Sequence, residues 1–449
     1  MERQTWTVDD APTSPDPPSR PYLVYALACD RPSTPPSRWS LSRVADVVLS
    51  GQGPLSATRA STLTITCNDP WASTRHASLK RTFGRWFIED LGSRNGTSVN
   101  GERVSRRPLE DGDLIETGHT AWWFRELATG VPPPDLAALD SAASFTTLHA
   151  PLEAAATRGI AALVAGLSVL IEGEAGVGKQ RMAATLHEGS RRPGALVTVN
   201  CATLSAASAE RELFGYRSSA SSGASDEHTG YLRAAHRGTL VLDEIGDMPP
   251  AAQAALLRAL AEHTVTPVGD KRPVPIDVAV VSTTRRDVYA MTSARTFSAE
   301  LLTRLRGVAF WIPPLRERRE DIGLFVARTI ARVAPDATLQ LDTARRLLTT
   351  AWPLNVRELE SVVAAAALRA GTRAVTPSDL EGVVTPLPDT APAPPEAWSS
   401  AEIALRARLI NALVSHGGSI SAVAREFGCD RKQIHRWIAR YSIDLRDPH

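Results

Sequence analysis

A multidomain chain with three kinds of fold is predicted: an all-β sandwich, an α/β unit on a parallel sheet with a helical lid, and an all-α end. Three observations predict it. Between residues 22 and 127, short apolar stretches (YLVYALA, VADVVLS, STLTITC, RWFIED) are divided by the turn signals GQGP, NDP, GSRNG and DGD. Short strands at that spacing read as a sandwich or barrel. From about Phe145, apolar runs (LSVLIEG, ALVTVN, GTLVLDE, DVAVVST) alternate with Ala/Leu/Arg-rich helical stretches, the pattern of a parallel sheet. After Pro314 the strands stop, helical patterning runs to about Val384, and the last fifty or so residues are helical throughout. Pro-rich segments at 11–21, 131–134 and 385–395 read as flexible or linking. The expected divisions are 22–127, 146–313, 314–385 and 398–446.

Composition narrows the function classes. The chain has 449 residues, 43% hydrophobic and 22% charged, with a net charge of +1. That leaves apolar material for several cores and excludes a disordered charged tail. The longest apolar run, Ile160 to Ile171, is broken by Gly166 and Ser168; a membrane span needs about 20 residues, so no membrane partner is expected. No apolar leader opens the chain. Cysteines 29, 67, 201 and 429 lie far apart without a C-x-x-C pair, which points to a reducing cytoplasm and away from structural zinc. Basic residues are nearly all Arg, and the lysines are only 80, 179, 271 and 432.

Residues 173–180 read GEAGVGKQ (Gly173, Glu174, Ala175, Gly176, Val177, Gly178, Lys179, Gln180), between the apolar strand SVLIE and the helical RMAATLHEG. A glycine-rich loop there aims backbone N–H groups and a helix dipole at phosphates. Lys179 would reach the β- and γ-phosphates of ATP. Gln180 lacks the hydroxyl that usually holds Mg2+ after the lysine. As an isolated string, a surface turn is the alternative. About sixty residues on, TLVLDEIGDMP places Asp243 and Glu244 at the end of a buried strand. Asp243 would hold the metal, Mg2+, through water, and Glu244 would polarise the attacking water; an acidic pair at a helix start is the alternative.

With these strings in place, residues 146–385 resemble the AAA+ domain of bacterial enhancer-binding proteins, ATPases that remodel sigma-54 RNA polymerase. GEAGVGKQ, VNCATL, ERELFGY, GTLVLDEIGDMP, ELLTRL, PPLRERREDI and WPLNVREL follow in the family's order. The resemblance implies that Asn200 switches the Walker B glutamate. It also implies that Arg304 is an arginine finger acting on a neighbouring subunit, and that Arg357 is the sensor II arginine. A finger in trans implies a homo-oligomeric ring, hexameric or heptameric. Departures are Gln180 where the family has Glu, Ser298 at a second arginine position, Arg285 at the sensor I position and Leu354 in place of Gly. The loop that touches sigma-54, GAFTGA in the family, reads SASSGA here: Ser219, Ala220, Ser221, Ser222, Gly223 and Ala224. Its apolar tip is gone, and such anchors carry most of an interface's energy.

Residues 22–127 resemble a forkhead-associated (FHA) domain, through Ser42–Arg43, STRHA (73–77), LGSRNGTSVNG (91–101) and DGD (111–113). The resemblance implies a β-sandwich that binds a phosphothreonine-containing protein. Arg43 and Ser73 would hold phosphate, Arg94 and Asn95 would contact the phosphate side and the peptide backbone, and His76 would brace the loop.

In GGSISAVAREFGCDRKQIHRWIARYSID (417–444), Ile420, Val423, Ala424 and Phe427 form one apolar helical face. A turn at Gly428 follows, then a second helix with Ile434, Trp437 and Ile438 inside. That helix carries Arg431, Lys432, Gln433, His435 and Arg436, with Arg440 beyond. A basic second helix after a tight turn is a helix-turn-helix for DNA, and the stretch resembles the Fis-type end of enhancer-binding proteins. A dimerisation pair is the alternative. The expected function is a sigma-54-dependent transcriptional regulator that couples ATP hydrolysis to transcription, with RNA polymerase, DNA and a phosphoprotein as partners. The rival is a phosphopeptide-gated repressor or adaptor that no longer remodels sigma-54.

Overall fold

The protein's architecture comes from a computed structural model that describes residues 20–42, 44–60, 62–82, 85–127, 135–136, 145–205, 208–216, 228–381, 412, 420–427 and 434. The chain divides into two units, Met1–Val384 and Thr385–His449.

The first unit opens with twelve strands: β1 (Arg20–Ala28), β2 (Ser37–Ser40), β3 (Asp46–Ser50), β4 (Ser56–Arg59), β5 (Leu63–Thr66), β6 (Ala77–Thr82), β7 (Arg85–Asp90), β8 (Thr97–Val99), β9 (Glu102–Val104), β10 (Arg106–Pro108), β11 (Asp113–Thr117) and β12 (Thr120–Leu127). They form two six-stranded sheets, β2-β1-β12-β11-β8-β9 and β10-β7-β6-β3-β5-β4. Among the described residues of these sheets, only β3 and β5 pair in parallel. Leu23, Tyr25, Trp122 and Phe124 from the first sheet meet Val47, Leu79, Trp86 and Ile88 from the second in the sandwich core. Residues 135–136, just beyond the VPPP stretch read as a linker, lie on the sandwich: Leu136 bridges Arg38, and Asp135 accepts from Arg59 Nη2 at 2.9 Å.

β1 is apolar on both faces, as YLVYALA displays. Tyr22, Val24 and Ala26 point away from the sandwich core, whereas Leu23 and Tyr25 point into it. An irregularity in the pairing with β12 between Tyr25 and Leu27 shifts the register. It reverses the alternation, so that Leu27 and Cys29 join the outer set. A strand with water on one face would not carry this second apolar row.

The α/β part then runs α1 (Ala150–Val164), β13 (Val169–Glu172), α2 (Lys179–Ser190), β14 (Leu196–Asn200), α3 (Ala209–Phe214), α4 (Tyr231–Ala234), β15 (Thr239–Asp243), α5 (Pro250–Glu262), β16 (Thr264–Val265), β17 (Val274–Pro275), β18 (Ala279–Thr284), α6 (Val288–Ser293), α7 (Ala299–Leu305) and β19 (Val308–Trp311). Its five-stranded sheet, β14-β15-β18-β13-β19, is parallel throughout. The uninterrupted apolar runs suit strands covered on both faces. Ligand crevices in such sheets open at the carboxyl ends of the strands. Here those ends hold Asn200, Asp243 and Thr284.

The helical lid comprises α8 (Ile322–Val333), α9 (Leu341–Thr349) and α10 (Asn355–Ala370). Val356, Leu359, Val362, Val363, Ala366 and Ala370 recur at helical spacing along the buried stripe of α10. That stripe belongs to one continuous core with Phe325, Val326 and Ile330 of α8, and also with Tyr22, Val24, Ala26, Leu114 and Trp123 of the sandwich. The outer face of the first sheet is therefore covered by the lid. At about 1.5–3 kcal/mol for each large apolar side chain taken fully out of water, this contact is a main source of stability for both parts. Among the described residues, no helix is long and apolar enough to cross a membrane.

In the second unit, a helix at Ile420–Glu426 (α11) buries Val423 and Ala424, and Ile434 is buried as well. Arg431, Lys432, Gln433, His435 and Arg436 lie outside the described residues.

Candidate functional site

The loop from Gly173 to Gly178 joins β13 to α2. Gly173, Gly176 and Gly178 have φ of 154°, 78° and 104°, values a side chain would oppose. A Cβ on Gly176 would also meet the Leu354 carbonyl oxygen at 2.2 Å. The Val356 N–H donates to the Gly176 carbonyl at 3.1 Å, so the lid is bonded directly to the loop. A cavity of about 540 Å3 opens over it. Ala175 to Arg181, Asn200, Asp243, Glu244 and Arg285 line it on one side, with Phe145, Thr146, Phe325, Arg328, Val356 and Arg357 on the other. Of the residues expected at the nucleotide, the structure brings all but Gly173, Glu174 and Arg304 to this wall.

Lys179 is 7% exposed. Its ammonium donates to the carbonyls of Gly173 at 2.9 Å and Glu174 at 3.1 Å and stands 3.4 Å from Glu244 Oε1. Asp243 ends β15. Its Oδ2 accepts from Gln180 Nε2 at 2.7 Å, and its Oδ1 accepts from the Thr283 hydroxyl. Gln180 thus faces the Asp243 carboxylate with an amide in place of a hydroxyl. An oxygen-bearing carboxylate beside a phosphate cradle fits Mg2+, which takes one or two protein oxygens and keeps its remaining positions for phosphate and water.

Glu244 has φ of 53°, a left-handed conformation uncommon for a residue with a side chain. Its Oε2 accepts from the Arg285 N–H at 3.1 Å, and the Arg285 guanidinium lies 3.9 Å away. Asn200 spends its Oδ1 on the Ala202 N–H at 3.0 Å, capping the short turn that follows β14. The partners of Glu244 here are Lys179, Thr283 and Arg285. Arg304 is exposed on α7 and donates to the Leu260 carbonyl at 3.0 Å, outside the cavity. Ser298 caps the same helix by accepting from the Leu301 N–H at 3.2 Å, a local role for the residue at the second arginine position.

Several residues that hold the loop carried no individual assignment in the sequence. Asn355 is fully buried: its Oδ1 accepts from the Leu315 N–H at 2.8 Å, and its Nδ2 donates to Glu174 Oε2 and the Ala175 carbonyl. Arg316 pairs with Glu174 at 2.5 Å. The Arg316 hydrogen bond, ahead of partial burial, holds the Glu174 carboxyl below its ordinary range. Arg318, fully buried, donates from Nη2 to the Val177 carbonyl at 2.6 Å and from Nε to the Pro313 carbonyl at 3.0 Å. All three stand in the strings PPLRERREDI and WPLNVREL. Their signal was charge or amide in segments that also carry core residues.

On the sandwich, Ser73, Arg94 and Asn95 come together from two loops. The Arg94 N–H donates to Ser73 Oγ at 3.1 Å, and Asn95 Nδ2 donates to the Trp71 carbonyl at 2.6 Å. His76, fully buried, accepts the Ser73 N–H at Nδ1 (3.0 Å), and its Nε2 lies 3.0 Å from the Gly96 carbonyl. The tautomer with the proton on Nε2 satisfies both contacts and ties the loops together. Asp90 accepts from Ser93 and Thr97 within the second loop. Burial opposes charge on Asp90, but these hydrogen bonds outweigh it and lower its carboxyl below the ordinary range. Arg94 and Asn95 are exposed, and Trp71, half exposed, stacks on His119 with ring centroids 4.6 Å apart. Arg43 lies outside the described residues, as do Ser219, Ala220, Ser221, Ser222, Gly223 and Ala224. That loop's base is described: Tyr216 and His228 form an antiparallel bridge.

Comparison with known proteins matches residues 148–310 to the sigma-54 interaction domain, 57–118 to the FHA domain, 316–395 to the AAA+ ATPase lid domain and 405–443 to a helix-turn-helix domain. The chain is 39% identical over 302 residues to the anaerobic nitric oxide reductase transcription regulator NorR of Citrobacter koseri, covering 63% of this chain and 60% of that protein. It is 35% identical over 291 residues to the transcriptional regulatory protein GlrR of Escherichia coli, covering 63% and 64%. The chain thus spans about 60% of the length of the curated relatives it matches. Among solved structures, NtrX from Brucella abortus in complex with ADP is 28% identical, with a TM-score of 0.48, over 66% of this chain and 68% of that one.

Proposed function

We propose, for a chain that belongs to the sigma-54-dependent transcriptional regulators, that it hydrolyses ATP as a ring and couples hydrolysis to transcription from the DNA it binds. Its working parts are residues 22–127 as a phosphothreonine-reading FHA domain, 146–313 as the ATPase core, 314–385 as the lid and 398–446 as the DNA-binding end. The observation that carries the reading is the convergence of Lys179, Asp243 and Glu244 on one cavity that lid residues Val356 and Arg357 also line. The loop N–H groups and Lys179 hold the β- and γ-phosphates. Asp243 would hold Mg2+ through water, and the metal would supply charge neutralisation for phosphoryl transfer. Glu244 orients the attacking water and takes its proton. Arg357 reaches the nucleotide from the lid, and Arg304 reaches that of the next subunit.

Engaging the phosphates draws Lys179 away from Glu244 and frees that carboxylate for water. In this cycle Asn200 is the switch on Glu244, and Arg285, whose N–H and guanidinium flank Glu244, is a second group that holds the carboxylate. On the sandwich, the Ser73 hydroxyl and the Arg94 side chain supply phosphate contacts at one rim. The direct test is transcription by purified sigma-54 RNA polymerase from a promoter bearing the chain's own binding site. Open-complex formation that needs ATP and Glu244 supports the activator reading.

A second reading, a phosphopeptide-gated repressor or adaptor, is favoured by the sequence of the sigma-54 loop, where Ser221 stands at the position of the family's aromatic. A buried aromatic anchor is typically worth about 2 kcal/mol or more, roughly thirtyfold in affinity. Capture of sigma-54 by Ser221→Phe with Ser222→Thr but not by the unmodified protein would favour the repressor or adaptor. Tight capture by the unmodified protein restores the activator.

A further inference from the structure

Glu320 and Asp321 are adjacent, both fully buried, and they face different parts of the molecule. Glu320 is held from the sandwich: Tyr22 of β1 donates its hydroxyl to Oε1 at 3.3 Å, and Arg125 of β12 donates to Oε2. His149, just before α1, lies 2.8 Å from Oε1. Asp321 is held from the α/β side. It accepts the Leu148 N–H at 2.6 Å, the Thr147 hydroxyl at 2.7 Å and Arg318 Nη1 at 3.1 Å. Arg318 in turn donates to the Val177 carbonyl in the phosphate loop at 2.6 Å. Its guanidinium lies 5.9 Å from the ring centres of both Phe145 and Phe325, two walls of the cavity.

The last link has a defined physical effect. The Val177 carbonyl and the Gly178 N–H belong to one planar trans peptide and point in opposite directions. Anchoring the oxygen aims the N–H. In a loop whose glycines allow wide backbone freedom, such an anchor decides whether phosphate meets a preorganised donor. A buried, fully hydrogen-bonded polar chain is stiff, and removing one partner leaves the others unsatisfied in a low-dielectric setting.

We propose that Tyr22 and Arg125 of the FHA sandwich are positioning residues of the nucleotide site, acting through the Arg318–Asp321 turn on the Val177–Gly178 peptide. The inference rests on reading the cavity as the ATP site.

The test uses the full chain and measures ATP KM, kcat and affinity for a fluorescent ATP analogue. Arg125→Ala and Tyr22→Phe are expected to raise KM and the analogue's Kd roughly 2- to 30-fold, the range for substitutions along a coupling network, with kcat changed less than KM. Tyr22→Phe keeps the ring in the core and covers the case in which Arg125→Ala fails to fold. Arg125→Lys, which keeps the charge near Glu320, is expected to recover part of the affinity. Arg59→Ala, which breaks an exposed pair with Asp135 on the same sandwich, is the control and leaves KM unchanged. Hydrogen exchange gives a second readout: the ATP analogue should slow exchange in β1 of the wild type and do so less in Tyr22→Phe. Lower melting temperatures with KM and analogue affinity unchanged would overturn the proposal, leaving both residues a purely structural role. If Lys179→Ala binds the analogue as well as wild type does, the ATP-site reading itself fails, an outcome distinct from loss of the coupling.

Discussion

A Cβ placed on Gly323 would lie 1.8 Å from the carbonyl oxygen of Ala26. The first turn of α8 therefore rests against the backbone of β1, closer than any side chain permits. Gly323→Ala is expected to push the lid off the sandwich and to cost about 1–3 kcal/mol, the usual range for overpacking. Calorimetric unfolding should show the main transition lower by roughly 1–2 °C for each kcal/mol, given the size of the Met1–Val384 unit. An unchanged melting temperature would mean that the two elements separate without cost.

The nucleotide cradle makes opposite demands on Lys179 and Glu244. Lys179→Ala is expected to abolish ATP binding, because its ammonium is the cation inside the loop. Glu244→Gln is expected to retain binding and lose turnover by two or more orders of magnitude, since the amide cannot take a proton. Equilibrium binding and single-turnover hydrolysis separate these effects; equal loss of binding in both would remove Glu244 from the chemical step.

Arg304 lies outside its own chain's cavity and is exposed. Arg304→Ala should bind ATP normally and hydrolyse it at least 1,000-fold more slowly, the effect known for fingers acting in trans. Mixing it with Lys179→Ala should restore some activity, because one subunit then supplies the finger and the other the bound nucleotide. No recovery over a range of mixing ratios and concentrations would argue against a finger acting between subunits.

At the sandwich, Ser73→Ala should weaken a phosphothreonine peptide at least tenfold. It removes a hydroxyl and also the acceptor that seats the Arg94 N–H. Titration calorimetry against a phosphothreonine library, with unphosphorylated peptides as the control, measures it. Absence of any phosphate-dependent binder would leave the sandwich with its packing against the lid alone.

Acid should loosen the sandwich–lid contact through Glu320. Burial opposes its charge, but the His149 hydrogen bond and the Arg125 charge outweigh burial and hold its carboxyl below the ordinary 4.5. A depressed carboxyl stabilises the folded state above its unfolded value, and that contribution is lost as pH falls through the folded one. Urea midpoints of the wild type should therefore decline from about pH 4.5 downward. Glu320→Gln should be less stable at pH 7 and show a flatter acid limb; parallel limbs would place the acid sensitivity elsewhere.

The amino-acid sequence by itself determined the fold of each part and the order of its motifs. Strand alternation, the Gly173–Gly178 loop between a strand and a helix, and Asp243–Glu244 at the end of an apolar strand are local patterns. Their physics lies within one element and the turn beside it, so they are legible without neighbours. YLVYALA was legible as a strand, yet nothing local to it named what covers its second apolar face. That cover is a helix some 300 residues away, since Tyr22 and Glu320 are separated by 298 positions. The same limit hid Arg318, Glu320 and Asn355. In the sequence they are charged or amide residues of the kind that usually meet water, and only packing decides that they are buried, with Arg318 and Asn355 bonded to the phosphate loop and Glu320 to the sandwich. Asn200 carries both levels: its place in VNCATL implies a switch on Glu244, and the fold sets its Oδ1 against the adjacent Ala202 N–H while Glu244 meets Lys179 and Arg285. Which partner a polar side chain takes is a competition among all donors brought within about 3 Å, and only the tertiary structure brings them there.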